Sequence, residues 1–162
     1  MDRYKMEDLK KWKNSTNRKP LIIRGARQVG KTWLMQEFGR KYYEKCAYIN
    51  FDDNTRMNSL FNEDFNIEKI IQGLKIILYN VPSRTGVNIE PENTLIILDE
   101  IQETPRALKA LKYFCENARE YHVVSAGSLL GVAIHEGTSF PVGKVDFMDL
   151  MPLSFFEFLD AL

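Results

Sequence analysis

The chain has 162 residues, of which 44% are hydrophobic, enough for one domain with its own core and too few for two. Its 22 Lys and Arg residues balance 22 Asp and Glu residues, so no overall field favours nucleic acid or an anionic membrane. The two cysteines, Cys46 and Cys115, stand far apart without a CxxC or Cys/His cluster, which argues against a disulfide scaffold and a zinc site.

The first thirteen residues, MDRYKMEDLKKWK, are charged throughout and lack the apolar core of a signal peptide. No later apolar run approaches the length of a membrane span. We therefore expect a cytoplasmic protein with no membrane partner.

The first half of the chain alternates strand patterns with helix patterns. The helix after the first strand is predicted to turn Trp33, Leu34 and Phe38 inward, and the polar stretch over residues 52–64 is predicted to be a mobile loop. The predicted elements are a helix over 1–13, a strand over 21–24, a helix over 31–43, a strand over 47–51 and a helix over 66–79.

The second half continues the same alternation after a turn-rich connector. Thr104 followed by Pro105 is a good N-cap and first-turn pair for a helix. The predicted elements are a strand over 94–98, a helix over 106–119, a strand over 122–126, a short helix from Ser128, a strand over 144–151 and a helical start at 154.

Strands that alternate with helices predict an α/β fold, a doubly wound parallel sheet with helices on both faces. In such a sheet the ligand lies at the carboxyl ends of the strands. The chain stops at Leu162 inside an amphipathic pattern, so we expect it to be part of a longer protein.

The run GARQVGKT lies between the first strand and the next helix and matches the GxxxxGK[ST] pattern of a P-loop. This is the strand, loop and helix context that the motif requires. The run predicts that the chain binds a nucleoside triphosphate through Gly25, Ala26, Arg27, Gln28, Val29, Gly30, Lys31 and Thr32.

Each conspicuous residue type of this run has a physical reason. Gly25 and Gly30 let the backbone bend tightly, so that its amides approach phosphate oxygens. Lys31 opens the helix, where its ammonium reaches the β- and γ-phosphates together with the helix dipole. Thr32 offers a hydroxyl to Mg²⁺. Arg27 and Gln28 are expected at the solvent-facing mouth of the loop.

Two carboxylates follow the apolar strand LIIL. Asp99 is predicted to orient Mg²⁺ through water. Glu100 is predicted to polarise a water for in-line attack on the γ-phosphate, which favours hydrolysis over binding alone. The alternative is a solvated strand end that begins a turn.

The segment SAGS follows the next strand. A hydroxyl at that strand tip can touch the γ-phosphate or the attacking water, with Ser128 as first choice and Ser125 as second. Ser128 as a helix N-cap is an equally good interpretation and is compatible with the functional one. His122 and His135 have no metal-ligand spacing and are interpreted as structural.

Four segments, GARQVGKT, LIILDEIQ, SAGSLLGVAIHEGTSFPVGKV and PLSFFEFL, occur in that order and cover nearly the whole chain. Together they resemble the bacterial and archaeal AAA-like ATPases whose N-terminal ATPase domain precedes an uncharacterised C-terminal domain. The resemblance implies ATP as the nucleotide. It also implies a three-layer P-loop NTPase fold, with a parallel sheet of about five strands in the order 5-1-4-3-2.

The same resemblance implies that residues 1–162 are the ATPase domain of a longer protein and that a helical region, which could be winged-helix or nuclease-like, follows it. Many similar proteins have Gly-Arg where this chain has Gly143 and Lys144. That arginine is a candidate contact to the γ-phosphate, and a lysine lacks its planar bidentate fork. Other arginines, Arg84, Arg106 and Arg119, are interpreted as surface residues.

The leading prediction is a Mg²⁺-dependent ATPase that switches or drives a second module, and it could act as a homo-oligomer. A nucleotide-gated module that binds protein or DNA is the non-enzymatic alternative. A small-molecule kinase ranks lower because no Arg-rich lid follows the central helices, and a GTPase ranks lowest because no NKxD motif occurs. DNA binding rests only on the basic stretch Lys10, Lys11, Lys13, Arg18 and Lys19, whose simpler interpretation is a solvated surface.

Overall fold

The structure is a computed structural model that describes residues 4–52, 55–62, 64–79, 88–127 and 141–154, together with 157 and 159. Strands and helices alternate along it, as the apolar patterns predict. The strands are β1 (Leu21–Arg24), β2 (Lys45–Asn50), β3 (Thr94–Asp99), β4 (His122–Gly127) and β5 (Asp146–Asp149). The helices are α1 (Lys5–Asn14), α2 (Lys31–Tyr42), α3 (Thr55–Asn62), α4 (Ile67–Tyr79) and α5 (Pro105–Asn117), with a 3-10 turn over Ile101–Glu103.

The five strands form one parallel sheet in the order β2-β3-β4-β1-β5. Counted from the opposite edge this is 5-1-4-3-2, so the predicted strand order is confirmed. The strand β4 separates β1 from β3, and the carboxyl ends of all three meet at one edge of the sheet. The loops that leave β1 and β3 therefore face each other across the end of β4.

The sheet has one hydrophobic cluster on each face, which makes the fold three-layered. On β3, Leu95 and Ile97 belong to the cluster that includes residues of α1 and α2, whereas Ile96 and Leu98 belong to the cluster that includes residues of α3, α4 and α5. Both β3 and β4 are buried along their whole length, as expected for central parallel strands covered on both faces.

The predicted mobile loop over residues 52–64 is wrong for its central part, which forms α3. Met57 and Phe61 are four residues apart and both are buried in the cluster on the α5 side. Their spacing places them on one face of a helix. The helix was not predicted because most of the residues around Met57 and Phe61 are polar.

A second correction concerns Trp33, which was predicted to face inward and is 41% exposed. Leu34 and Phe38 are buried as predicted, and Met35 completes the inner face of α2. Trp33 precedes Leu34 by one residue, about 100° round the helix, and lies at the edge of that face.

Two smaller differences concern element ends. Thr104 is the N-cap of α5 as predicted, but its side chain makes no capping hydrogen bond. Strand β5 is shorter than the predicted span over 144–151. The predicted helix from Ser128 falls outside the described residues. Among the residues that are described, none of the helices combines the length and apolarity that crossing a bilayer needs.

Candidate functional site

The glycine loop begins where β1 ends, and the neighbouring strand explains its first glycine. The Leu150 N–H donates to the Arg24 carbonyl oxygen at 2.7 Å, which extends the pairing of β5 with β1. A Cβ atom on Gly25 would lie 2.3 Å from the Leu150 carbonyl oxygen. Only glycine fits at this position, for a packing reason that is independent of phosphate.

The rest of the loop turns through left-handed backbone conformations. Gln28 has a φ of 63° and Gly30 a φ of 90°. Gly30 is the N-cap of α2, so the loop delivers the chain directly to a helix N-terminus. Arg27 and Gln28 are exposed, as predicted for the mouth of the loop, and Ala26 is exposed beside them. A glycine loop that leads into a helix N-terminus is the arrangement in which backbone amides and the positive end of a helix dipole can meet an anion.

The ammonium of Lys31 lies against the backbone of this loop. Lys31 is 7% exposed, and its Nζ donates to the carbonyl oxygens of Gly25 at 2.8 Å and Ala26 at 2.6 Å. Burial lowers the pKa of Lys31, and the carboxylates of Glu100 and Asp99 oppose that shift. A bound polyphosphate would favour the charged form, so phosphate binding and protonation of Lys31 support each other.

Thr32 and Asp99 meet directly. The Thr32 hydroxyl donates to Oδ2 of Asp99 at 2.6 Å, although the residues are 67 positions apart in sequence. Asp99 is 3% exposed, and the Glu100 N–H donates to its Oδ1 at 3.1 Å. A hydroxyl and a carboxylate are hard oxygen donors of the kind that Mg²⁺ selects, with water and phosphate as its remaining ligands.

The alternation of side chains along β3 explains why Asp99 reaches Thr32. Side chains alternate between the two faces of a strand, so Asp99 lies on the same face as Leu95 and Ile97, which is the α2 face. Thr32 is the second residue of α2. The carboxylate at the end of the buried strand therefore faces the first turn of the helix that follows the glycine loop.

Glu100 leaves this strand pattern. Its backbone is left-handed, with a φ of 52° and a ψ of 42°, a conformation that non-glycine residues rarely adopt. The Gln102 Nε2 donates to Oε2 of Glu100 at 2.5 Å. The second carboxylate is thus set by a strained turn and a neighbouring amide, and backbone strain of this kind concentrates at functional sites.

A cavity of about 600 Å³ opens on the outer side of the loop, and exposed apolar side chains line much of it. Trp33, the tryptophan that was predicted to be buried, is one of them. The lining residues are Arg27, Gln28, Val29, Gly30, Trp33, Pro152 and Leu153.

The serines were predicted to touch the phosphate from the tip of β4. Ser128 lies outside the described residues. Ser125 is fully buried, and its hydroxyl donates to the Leu21 carbonyl oxygen at 3.2 Å. This contact holds the hydroxyl within the sheet, so Ser125 is a structural residue.

Lys144 lies at the opposite end of the sheet. It precedes β5, whose carboxyl end is the end that reaches the glycine loop, and it forms an ion pair with Glu116 at 3.1 Å. Arg106 donates to the Phe61 carbonyl oxygen and Arg119 to that of Cys115, while Arg84 falls outside the described residues. Within the glycine loop the described basic side chains are those of Lys31, which is buried, and Arg27, which is exposed.

His122 is a structural residue, as predicted, and His135 lies outside the described residues. The ring of His122 is 4% exposed, and its Nδ1 is hydrogen-bonded to the Tyr43 hydroxyl at 2.6 Å. Burial, with Arg18 and Lys13 nearby, lowers the pKa of His122 to about 4. The described residues contain no group of three or more His, Cys, Asp or Glu side chains placed to hold a metal.

Two side chains at this site were not predicted. Tyr48 donates from its hydroxyl to Oδ2 of Asp99 at 3.0 Å, and Gln102 contacts Glu100. The sequence held a weak signal for Gln102, which follows the carboxylates within LIILDEIQ. The sequence held no signal for Tyr48, because its contact depends on the pairing of β2 with β3, which strand propensity does not predict.

Known proteins share this architecture. A family model described as "AAA domain" matches residues 17–159. The Walker-type ATPase of Pyrococcus abyssi superposes with a TM-score of 0.57 at 15% identity, over 96% of this chain and 55% of that one. The ORC1 protein of Aeropyrum pernix, in complex with DNA, superposes with a TM-score of 0.54 at 12% identity, over 99% of this chain and 48% of that one.

This chain thus spans about half the length of both solved structures. No functionally curated protein matches it. At these identities the superpositions show the fold alone, whereas the family match covers most of the chain. The glycine loop, the contact between Thr32 and Asp99 and the strand order all agree with the family match. The chain belongs to the AAA domain family of P-loop ATPases.

Proposed function

We propose that this domain binds ATP with Mg²⁺ and hydrolyses it. The observation that carries the proposal is the contact between Thr32 and Asp99 beside the buried ammonium of Lys31. Three chemically different groups converge at the carboxyl edge of the sheet, two from the first turn of α2 and one from the end of β3. Each has the chemistry that a phosphate-bound magnesium ion requires.

The roles follow from the positions of the groups. The amides of residues 25–32 and the Lys31 ammonium bind the β- and γ-phosphates. Thr32 and Asp99 hold Mg²⁺, Asp99 through water. Glu100 would accept a proton from the water that attacks the γ-phosphate while the bond to ADP breaks, and Lys31 would stabilise the charge that develops there. Bound Mg²⁺ would supply further positive charge at the phosphates. Ser128, which follows β4 in the sequence, is a further candidate for contacting the γ-phosphate.

We propose that the base and ribose occupy the cavity beside the loop. Its exposed apolar residues, Trp33, Pro152 and Leu153, offer surfaces on which a flat base can pack. Adenine is preferred because the family resemblance implies ATP and the sequence lacks a guanine-reading motif.

Phosphate release tests the hydrolytic half of this proposal. Glu100→Gln keeps the size and the polarity of the side chain but removes its basicity, so turnover should fall by roughly 10²-fold or more. Glu103→Gln is the matched control, because Glu103 is an exposed carboxylate three residues away. Nucleotide affinity should be preserved in both variants. Wild-type turnover in Glu100→Gln would show that the water is activated by another group.

We propose that ATP hydrolysis by this domain switches or drives a second domain or partner in a larger assembly. Both solved neighbours are about twice as long as this chain, which supports a second domain or partner that the ATPase switches or drives. We propose that the assembly acts in the cytoplasm, and that a homo-oligomer is the form to test in the longer protein. Light scattering of that protein with and without MgATP measures the assembly directly.

A nucleotide-gated binding module is the second candidate, and the Aeropyrum neighbour is a protein in complex with DNA. The contacts of the basic residues near the N-terminus argue against DNA as the partner of such a module. Lys10 is paired with Glu7 at 2.7 Å, and Lys13 and Arg18 donate to backbone carbonyl oxygens. A salt-dependent shift of labelled duplex in the presence of ATP would support this candidate, and no shift at low salt would remove DNA.

A further inference from the structure

Tyr48 touches the magnesium carboxylate from a strand that belongs to neither nucleotide motif. Its hydroxyl donates to Oδ2 of Asp99 at 3.0 Å, the same oxygen that accepts from Thr32 at 2.6 Å. The strand β2 lies at the sheet edge next to β3. A side chain on an edge strand thus reaches into the centre of the site.

The register of the sheet explains this reach. Tyr48 pairs with Ile97 and Asn50 with Asp99, so Tyr48 is a diagonal neighbour of Asp99, two residues back along the strands. The long aromatic side chain of Tyr48 spans this diagonal, since its hydroxyl reaches the Asp99 carboxylate. Tyr48 also packs on the cluster at the α2 face, the face to which Asp99 belongs.

The hydrogen bonds that Asp99 forms within the described part of the chain leave one acceptor direction of its carboxylate unassigned. A carboxylate has about four lone-pair sites on its two oxygens. Oδ2 accepts from both hydroxyls, and Oδ1 accepts from the Glu100 N–H. The remaining direction is on Oδ1. Because the carboxylate is 3% exposed, these donors replace nearly all of its hydration.

We propose that Tyr48 is a positioning residue for magnesium, an inference that rests on the proposed ATPase function. Its hydroxyl fixes the rotation of the Asp99 carboxylate, so that Oδ2 faces the protein donors and a lone pair of Oδ1 would be available to Mg²⁺ or to a water bound to it. The Thr32 hydroxyl can then donate its proton to Asp99 while its lone pairs face Mg²⁺. Tyr48 itself touches neither nucleotide nor metal.

Tyr48→Phe removes the hydroxyl and keeps the ring, and the half-buried position tolerates the change. The Mg²⁺ concentration that half-saturates ATP binding should rise about 10- to 100-fold, the usual effect of losing a partner of a metal ligand. ATP affinity in EDTA should stay at the wild-type value, because the phosphate loop is untouched. A merely structural role would shift both affinities or neither.

Tyr43→Phe is the matched control. It also removes a tyrosine hydroxyl from a hydrogen bond, to His122 at the amino end of β4, and it should leave the Mg²⁺ dependence unchanged. Tyr48→Leu is the second variant, used if Tyr48→Phe does not unfold cooperatively, and the same rise is expected.

The outcomes separate the two claims. Mg²⁺-dependent ATP binding by the wild type, with unchanged or tighter Mg²⁺ binding in the Tyr48 variants, overturns the role of Tyr48 and leaves the proposed function standing. A wild type that binds ATP no better with Mg²⁺ than in EDTA overturns both.

Discussion

The carbonyl oxygen of Leu150 occupies the space that a side chain on Gly25 would need, 2.3 Å from the position of its Cβ. The first glycine of the phosphate loop is therefore also a packing residue between β1 and the end of β5. This contact ties the geometry of the loop to the edge of the sheet.

Gly25→Ala should accordingly destabilise the domain as well as weaken nucleotide binding. Backbone atoms must move to relieve the contact, at a cost of about 1–3 kcal/mol, typical of overpacking. Denaturant unfolding measures the loss. Gly143→Ala is the control, since a Cβ there meets nothing within 4 Å and adds only the strain of a φ of 74°. Equal stability of Gly25→Ala and wild type would contradict the packing role.

The packing of α3 on the face of the sheet that α4 and α5 cover can be tested by mutation. Phe61 is fully buried and its ring centroid lies 5.9 Å from that of Phe51. Phe61→Ala should cost about 3–5 kcal/mol of unfolding free energy, whereas exposed Asn62→Ala should change it by less than about 0.5 kcal/mol. A small effect of Phe61→Ala would contradict the burial of α3 and would favour the loop that the polarity of this segment predicts.

Stability should fall in acid because of His122. Its folded-state pKa is about 4, whereas an unfolded histidine titrates near its ordinary value of 6.5. Between these values the unfolded chain binds the extra proton, so this contribution is complete above pH 6.5 and is lost as the pH falls towards 4.

The loss amounts to at most about 3 kcal/mol. It is measured as the difference between the pH profiles of unfolding free energy for wild type and His122→Gln, which cannot take up this proton. Parallel profiles from pH 7 to pH 4 would show that the histidine titrates normally in the folded protein.

Trp33 should report on the base. Trp12 is 7% exposed and Trp33 is 41% exposed, so nucleotide in the cavity should change mainly the Trp33 fluorescence. Trp33→Ala should weaken ATP binding by about 1–3 kcal/mol, if the base stacks as bases do on aromatic side chains, and should leave tripolyphosphate binding unchanged. Trp33→Phe is the control that retains an aromatic face. Equal losses for ATP and tripolyphosphate would place the base elsewhere.

Much of the sheet was predictable because its signals are local. The apolar runs at β1 and β3 and the helix period of α4 depend on neighbouring residues. The predicted strand over 21–24 coincides with β1, and the strand order follows the family resemblance. In α3 and at Trp33 the prediction failed, since tertiary packing decides which few apolar residues of a polar segment are buried.

The candidate site shows the same division. The GARQVGKT run and the Asp99–Glu100 pair are contiguous motifs, and the contact between Thr32 and Asp99 places them at one edge of the sheet. Tyr48 was missed because its relation to Asp99 depends on the register of two strands about 50 residues apart, which no local pattern encodes.

The most direct test of the account is calorimetric titration of ATP with Mg²⁺ into wild type, Lys31→Ala and Lys13→Ala. Lys31 and Lys13 both donate to backbone carbonyl oxygens, but only Lys31 lies at the glycine loop. We predict binding by wild type and Lys13→Ala and its loss in Lys31→Ala, with all three proteins folded. Equal affinity of Lys31→Ala and wild type for ATP would contradict the phosphate site and with it the proposed function.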